Sequence, residues 1–471
     1  MQSPIIPSKP LFYNFRTKEF CDFAFDLSMD QDLASICFFT ATGFFLGDTT
    51  YFKDLKVAKP ATLYQMDGNK IGHETTSWQW HYSPRDISFK QTVEEFAHLF
   101  DKITKRGTSG KKVILPLSGG LDSRSQATVL GKSEAVTAYS YQFEDGINEN
   151  KYGRAIAAAQ NFQYQGLTIP RSYLWEKIEK LARLNHCLSD FTHQRQIAVE
   201  DKYETMGNLF FLGHWGDVLF DDMGVDEDLS EEEVLQVLLK KILKKGGLEL
   251  GEALWQAWGL AGDFSTALKE KLAELMSYID IDNTQAKIRA FKSLYWAPRW
   301  TSTNLCVFQN HHRVFLPYYD DEMCRFICTV PEKFLAARQI QIEYIKMMAP
   351  ALAQIPWQHF DPCNLYNFKD YYSVRYLPVR AWRKVKRNVN QKLLGQSGLI
   401  TRNWEIQFCG KHNDEQLQKY LFSVKPFTAW IPEKLTRSFY QKFLTDDDVF
   451  YSHPLSMLLT LSLFCKLREG Y

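Results

Sequence analysis

Residues 112–124 read Lys112-Val113-Ile114-Leu115-Pro116-Leu117-Ser118-Gly119-Gly120-Leu121-Asp122-Ser123-Arg124. A short apolar run ends in a Ser-Gly-Gly turn, and helix-compatible residues continue through Leu130. The pattern predicts a buried parallel strand, an anion-cradling loop and a helix N-terminus. Gly119 and Gly120 let the backbone approach an anion with no Cβ in the way, and the first helical turn offers free N–H groups backed by the helix dipole. Ser118 and Ser123 add hydroxyls, and Asp122 adds a hard oxygen suited to magnesium. The competing reading is a glycine turn that merely connects two elements. A Walker loop is excluded: Gly131-Lys132-Ser133 has Gln126 where that motif requires its first glycine.

Outward from this loop, Phe89 to Lys105 carries Val93, Phe96, Ala97, Leu99, Phe100 and Ile103 at helical spacing. Downstream, Ala135 to Phe143 predicts a second strand, Glu149 opens an alanine-rich helix, Tyr164 to Ile169 predicts a third strand and Tyr173 to Leu188 an amphipathic helix. Such alternation implies an α/β fold with a doubly wound parallel sheet and ligands at the carboxyl ends of its strands. A second element of the same kind follows at Asn208-Leu-Phe-Phe-Leu-Gly-His-Trp-Gly-Asp217, an apolar strand ending at Gly213 with an acid at its tip. Asp122 and Asp217, brought together at neighbouring strand ends, would form a pair of hard oxygen ligands.

The string Ser118-Gly-Gly-Leu-Asp-Ser resembles the pyrophosphate-binding loop of the ATP pyrophosphatase (PP-loop) superfamily, and Leu121 ahead of Asp122 is most like its asparagine synthetase branch. The resemblance implies an adenine nucleotide α-hydrolase-like fold, ATP and Mg2+ as cofactors, and formation of an acyl-adenylate that ammonia or an amine then attacks. It assigns Leu117, Ser118, Gly119, Gly120, Leu121, Asp122, Ser123, Tyr141 and Gly213 to the nucleotide, and Asp122 and Asp217 to the metal and to catalysis. His214 stands where the family has a Glu, and Val218 where a second Glu follows the Asp. Arg124, a cation in a first helical turn that disfavours positive charge by ~0.3–1 kcal/mol, is expected to have an anionic partner, phosphate or substrate carboxylate, or else a local acidic neighbour. Arg313-Val-Phe-Leu-Pro-Tyr-Tyr-Asp-Asp partly matches a further family segment. The cation that neutralises the adenylation transition state is left among Lys346, Arg338 and Arg313, with Lys346 in the register of the family's basic pair.

Residues 1–90 are expected to form a β-rich remnant of a glutaminase-like domain, 91–355 the ATP pyrophosphatase domain, and 356–471 a helical C-terminal extension. Ile36-Cys-Phe-Phe, Gly43-Phe-Phe-Leu-Gly and Ala61-Thr-Leu-Tyr-Gln-Met are β-prone runs, with a turn at Asp67-Gly68-Asn69. The family's glutaminase nucleophile is a Cys after the initiator Met; position 2 here is Gln2. Nitrogen would then come from free ammonia, a separate glutaminase or an amine on the substrate. Residues 375–392 are basic and aromatic, a stretch suited to an anionic membrane surface, a polyanionic or sugar-nucleotide substrate, RNA, or a solvated helix face.

Composition bounds the rest. With 471 residues, a net charge of +1 and 24% charged residues, the chain lacks the overall basic field of nucleic-acid binders. No apolar run reaches the ~18 residues of a membrane span, and the nine cysteines form no Cys-x-x-Cys pair. These features lead to the expectation of a cytoplasmic protein; the resemblance implies an enzyme whose partners are ATP and a small-molecule, sugar-acid or peptide carboxylate. A tRNA-modifying PP-loop enzyme and an ATP-binding scaffold without turnover are the alternatives.

Overall fold

A computed structural model describes residues 1–23, 25, 29–131, 135–378, 380–381 and 402–469. Strands β1 (Phe12–Asn14), β2 (Phe20–Cys21) and β3 (Leu55–Val57) form a small antiparallel sheet, and β4 (Thr62–Asp67) pairs with β5 (Lys70–Thr76) in a hairpin. The hairpin turns at Gly68, whose φ of 59° supplies the left-handed backbone the turn needs.

Between them lies a correction. Ile36 to Phe39 belong to a helix, α1 (Leu33–Thr42), rather than to a strand. Asp32 caps it by accepting from Ser35 N (3.0 Å), and Gly43 ends it in the left-handed conformation. Residues 35–42 are all buried, so no polar face marks the helical period, and the caps override the β preference of the aromatic residues. Gly43 to Gly47 likewise forms no strand and contributes only an isolated bridge from Phe44 to Ser189.

The central sheet is parallel and five-stranded. Helix α2 (Phe89–Thr108) leads into it through a capping box in which Ser88 and Gln91 satisfy each other's backbone donors, a device worth ~1 kcal/mol. Its Val93, Phe96, Phe100 and Ile103 stripe is buried as the periodicity requires. Then come β6 (Val113–Pro116), α3 (Leu121–Leu130), β7 (Val136–Phe143), α4 (Asn150–Gln160), β8 (Gln163–Ile169), α5 (Tyr173–Asn185), β9 (Leu209–Phe211) and β10 (Arg313–Phe315). The spatial order is β10-β9-β6-β7-β8, with every pair in this sheet parallel. Val113, Ile114 and Leu115 are 0–3% exposed, which is why β6 reads as an unbroken apolar run rather than an alternating one. After β6 the chain winds outward through β7 to β8, then returns to β9 on the other side of β6. The carboxyl ends of β6 and β9 therefore flank a topological switch point, where open α/β sheets form their ligand crevice.

Helices follow β9, among them Glu231–Ile242, Phe264–Ser277 and a ten-residue π-helix over Lys292–Thr301 with Pro298 inside it. Pro298 has no N–H to donate, and the wider π turn accommodates it. The closing helix Asp448–Arg468 buries its apolar residues from Leu455 to Cys465 against the rest of the core. Among the described residues no helix is long and apolar enough to cross a membrane. Most of the basic stretch 375–392, from Trp382 on, lies outside the described residues.

Candidate functional site

A cleft of about 660 Å3 opens at the switch point. Its floor is the loop after β6, Pro116 to Ser118 with Asp122 and Ser123; one wall is the tip after β9, Gly213, His214 and Asp217; Tyr141 and Glu149 close the side toward β7 and α4. The two glycine-punctuated motifs predicted from sequence thus share one cleft. Gly216 is obligatory there, since a Cβ at that position would overlap Asp122 Oδ1.

The loop is held by its own hydroxyls. Ser118 N donates to Ser123 Oγ (3.1 Å), the two serine hydroxyls meet at 3.0 Å, and Gly120 N donates to Ser118 Oγ (3.2 Å). Gly119 N donates to Oε1 of Gln358 (3.1 Å), whose amide donates in turn to Glu149 (2.9 Å). The segment around Gln358 is pinned over the loop by Asp361, which accepts from Tyr152 OH (2.6 Å) and Lys151 Nζ (2.8 Å). Two buried polar atoms of cleft-lining residues, Ser140 Oγ and Gln126 Nε2, have no hydrogen-bond partner among the described residues.

Asp122 is the electrostatic centre. Arg338 NH2 and Gln341 Nε2 (3.0 Å) both donate to its Oδ1, and Gln341 also donates to Tyr318 OH (2.9 Å). Burial pushes the Asp122 carboxyl up to about 6; the Arg338 charge pulls it down and Asp217 pushes it further up, which places the two aspartates within electrostatic reach of each other. Arg338 N-caps the helix Gln339–Met348 with a φ of 59°, directly after Ala337 at 54°. Two successive left-handed residues without glycine cost ~1–3 kcal/mol each, and persist where the surroundings hold them, here the contacts to Asp122 and Gln341. His214 exposes its side chain to the cleft, and the protein crowded around it pushes its pKa down to about 4 against the pull of Asp217. The imidazole is therefore neutral at pH 7 and has a lone pair for a proton.

Two of the sequence expectations are corrected. Arg124 meets no anion. It is fully buried, and its guanidinium donates to the carbonyls of Leu352 (3.1 Å), Ile355 (2.9 Å), Pro356 (2.9 Å) and Gly119 (3.4 Å), tying the chain ahead of Gln358 to the loop. Carbonyl dipoles replace the expected anion. Lys346 does not reach the cleft either; it pairs with Glu343 one helical turn away (2.8 Å). Arg313 is an exposed residue of the edge strand β10, and of the three candidate cations only Arg338 touches Asp122. Cys37, buried in α1, has its thiol pushed well above the ordinary range by burial, and Cys21 is exposed on β2; neither lines this cleft.

The far end of the cleft holds residues that the sequence reading missed. Lys292 stands between the rings of Trp215 (5.9 Å) and Trp296 (5.6 Å), makes no ion pair among the described residues, and is pushed down by burial, with Asp217 opposing. Arg195 donates from Nε to Tyr141 OH (2.8 Å) and covers that ring at 5.1 Å. Trp300, fixed by its indole N–H on Asp190 (2.6 Å), completes the aromatic wall. The available signal was Lys292-Ser-Leu-Tyr-Trp-Ala-Pro-Arg-Trp, where a proline and two tryptophans interrupt an otherwise helical pattern.

No protein-family model matches this chain, and no curated protein matches it by sequence. Among solved structures, the NH3-dependent NAD synthetase from Campylobacter jejuni subsp. jejuni is similar at 16% identity over 40% of this chain and 95% of that one, with a TM-score of 0.21. NMN synthetase from Francisella tularensis is similar at 12% identity over 44% of this chain and 92% of that one, with a TM-score of 0.22. Overlaps of this extent assign no family.

Proposed function

We propose that this chain is an ATP-dependent carbon-nitrogen ligase of the asparagine synthetase-like kind, which adenylates a carboxylate and passes the acyl group to ammonia or an amine. The observation that carries the reading is the convergence of the glycine loop 117–123 and the tip 213–217, with Asp122 and Asp217, on one cleft at the switch point of a parallel sheet.

In this reading the loop and the start of α3 receive the phosphates of ATP, with Ser140 and Gln126 supplying partners that are now unused. The donor set suits magnesium in its usual mode, one or two carboxylates with phosphate and water completing the shell; Asp217 and the Oδ2 of Asp122 are the oxygens for it. When bound, the ion supplies neutralisation of the leaving pyrophosphate. Lys292 and Arg195 attract the substrate carboxylate to the end of the cleft beyond the phosphates. A carboxylate oxygen attacks the α-phosphorus while the bond to the bridging oxygen breaks and pyrophosphate leaves. The amine then attacks the acyl carbon, AMP departs with its oxygen, and neutral His214 takes the surplus amine proton.

The decisive experiment is pyrophosphate release from ATP and Mg2+ across a panel of carboxylates, aspartate, uronic-acid sugar nucleotides and peptides among them. Release that needs one acid and falls at least ~100-fold in Asp122→Asn and Asp217→Asn supports the ligase. ATP binding without release under every acid would sink it in favour of a nucleotide-binding protein without turnover, a reading that the pairing of Asp122 with Arg338 favours.

A further inference from the structure

The π-helix has two faces. Lys292, Trp296 and Trp300 line the cleft described above, whereas Leu294, Tyr295, Pro298 and Arg299 line a second cleft of about 420 Å3. Its opposite wall comes from the N-terminal strands, from Val57 to Thr62, and from Trp78 to Trp80 beyond β5. Nothing in the proposed ligase reaction uses it.

A buried cation and an unmet donor belong to this second cleft. Arg299 is 4% exposed; its guanidinium donates to the neutral Thr49 carbonyl (2.5 Å) and makes no ion pair among the described residues. Burial lowers its pKa to about 10, with Asp48 opposing. A buried cation without a bonded anion is costly, and such groups are normally paired. Trp80 is 6% exposed, and its indole N–H is buried with no acceptor among the described residues. The other cations at the cleft are already matched, Lys59 to Glu74 (2.5 Å) and Lys271 to Glu274 (2.9 Å).

Much of the remaining lining is aromatic or aliphatic. Trp78 and Trp80 form a corner, their rings 5.2 Å apart and inclined by 72°, and Tyr295 and Pro298 line the same cleft, beside the polar Thr62, Thr76 and Gln79. A flat ring fits such a corner by stacking and edge contact. Asp48 and Asp280 also line the cleft, so a ligand with several negative charges would be repelled, while a single oxyanion satisfies Arg299. We infer that this cleft is a binding site for an aromatic monocarboxylate, with the carboxylate on Arg299 and Trp80 Nε1 and the ring between Trp78 and Tyr295. The inference does not depend on the ligase reading.

Indoleacetate is the probe, titrated calorimetrically and by saturation-transfer NMR against the full chain, with uncharged indoleacetamide and dianionic phenyl phosphate as comparators. Indoleacetate is expected to bind at millimolar concentration or tighter, and both comparators at least ~10-fold more weakly. Trp80→Phe keeps an aromatic ring but removes the pyrrole half of the indole with its N–H; a modest loss of stability is expected from the smaller buried ring, and binding, read well below the variant's melting temperature, is expected to fall by ~5–10-fold. Lys292→Met, in the other cleft, is expected to bind the probe as the parent does. No binding, equal binding of acid and amide, tighter binding of the phosphate, full binding by Trp80→Phe, or loss in Lys292→Met would each overturn the inference.

Discussion

Arg338 donates from its guanidinium to Oδ1 of Asp122, 216 positions away in sequence, and so neutralises the one carboxylate of α3. The contact leaves Oδ2 as the oxygen for a cation, and it holds down a carboxyl that burial has pushed up to about 6. If phosphoryl chemistry needs the ionised form, turnover falls as the pH drops through that value. Removing the guanidinium takes away a stabiliser of the anion, so the acidic limb of kcat in Arg338→Gln moves to higher pH. A pH-rate profile in which the limb stays put or moves down would contradict this role for Arg338.

Gln358 occupies the amide of Gly119, one of the loop donors a pyrophosphate would use. Nucleotide binding then includes the cost of displacing that side chain. A hydrogen bond of this type is worth ~1 kcal/mol net, so Gln358→Ala is expected to lower the ATP Kd by ~5-fold. A rise in Kd would show instead that Gln358 contacts the nucleotide.

The contrast between the loop and its surroundings shows where sequence pattern carries information. The β6 run, the Ser-Gly-Gly turn and the strand-helix alternation were legible because each depends on neighbours in sequence: a buried parallel strand is apolar throughout, and a helix start after glycine is local. Tyr141, Gly213, His214 and Asp217 line one cleft with that loop. Arg124 and Lys346 failed for the opposite reason. The partners of Arg124, the carbonyls of 352–356, are set by how distant segments pack, and charge alone does not distinguish a substrate anion from a row of carbonyl oxygens; the partner of Lys346 is local, Glu343 on the same helix, but which way that helix turns its charged face is set by packing. The α1 helix was misread because complete burial erases the polar face from which a helical period is read.

Arg124 makes its own prediction. Two of its bonds, to Ile355 and Pro356, satisfy part-buried carbonyls beyond the end of a short helix, and a third goes to the buried Leu352 carbonyl, which also accepts from Ile355 N. Arg124→Met keeps the bulk and removes the donors, and each carbonyl left dry costs ~1–3 kcal/mol. The expected result is a loss of ~3 kcal/mol or more in chemical denaturation, with Gln358 released from the loop. A variant as stable as the parent would mean that water replaces the guanidinium there.

Lys292 separates substrate recognition from nucleotide binding. It lies in the tryptophan-lined end of the cleft, and burial lowers its pKa below the ordinary lysine value. If its charge holds the substrate carboxylate, Lys292→Met raises the KM for the acid by ~10–100-fold, in line with the ~1.5–3 kcal/mol of a hydrogen bond to a charged group, and leaves the ATP Kd within ~2-fold. The lowered pKa gives the test a sign. The ammonium loses its proton at a lower pH than a free lysine, so kcat/KM for the acid declines on the alkaline side earlier than an exposed lysine would permit. A guanidinium stays charged across this range, and Lys292→Arg is therefore expected to abolish that decline even where it binds the acid less well. An alkaline limb unchanged by Lys292→Arg would assign the titration to another group and return the carboxylate to Arg195.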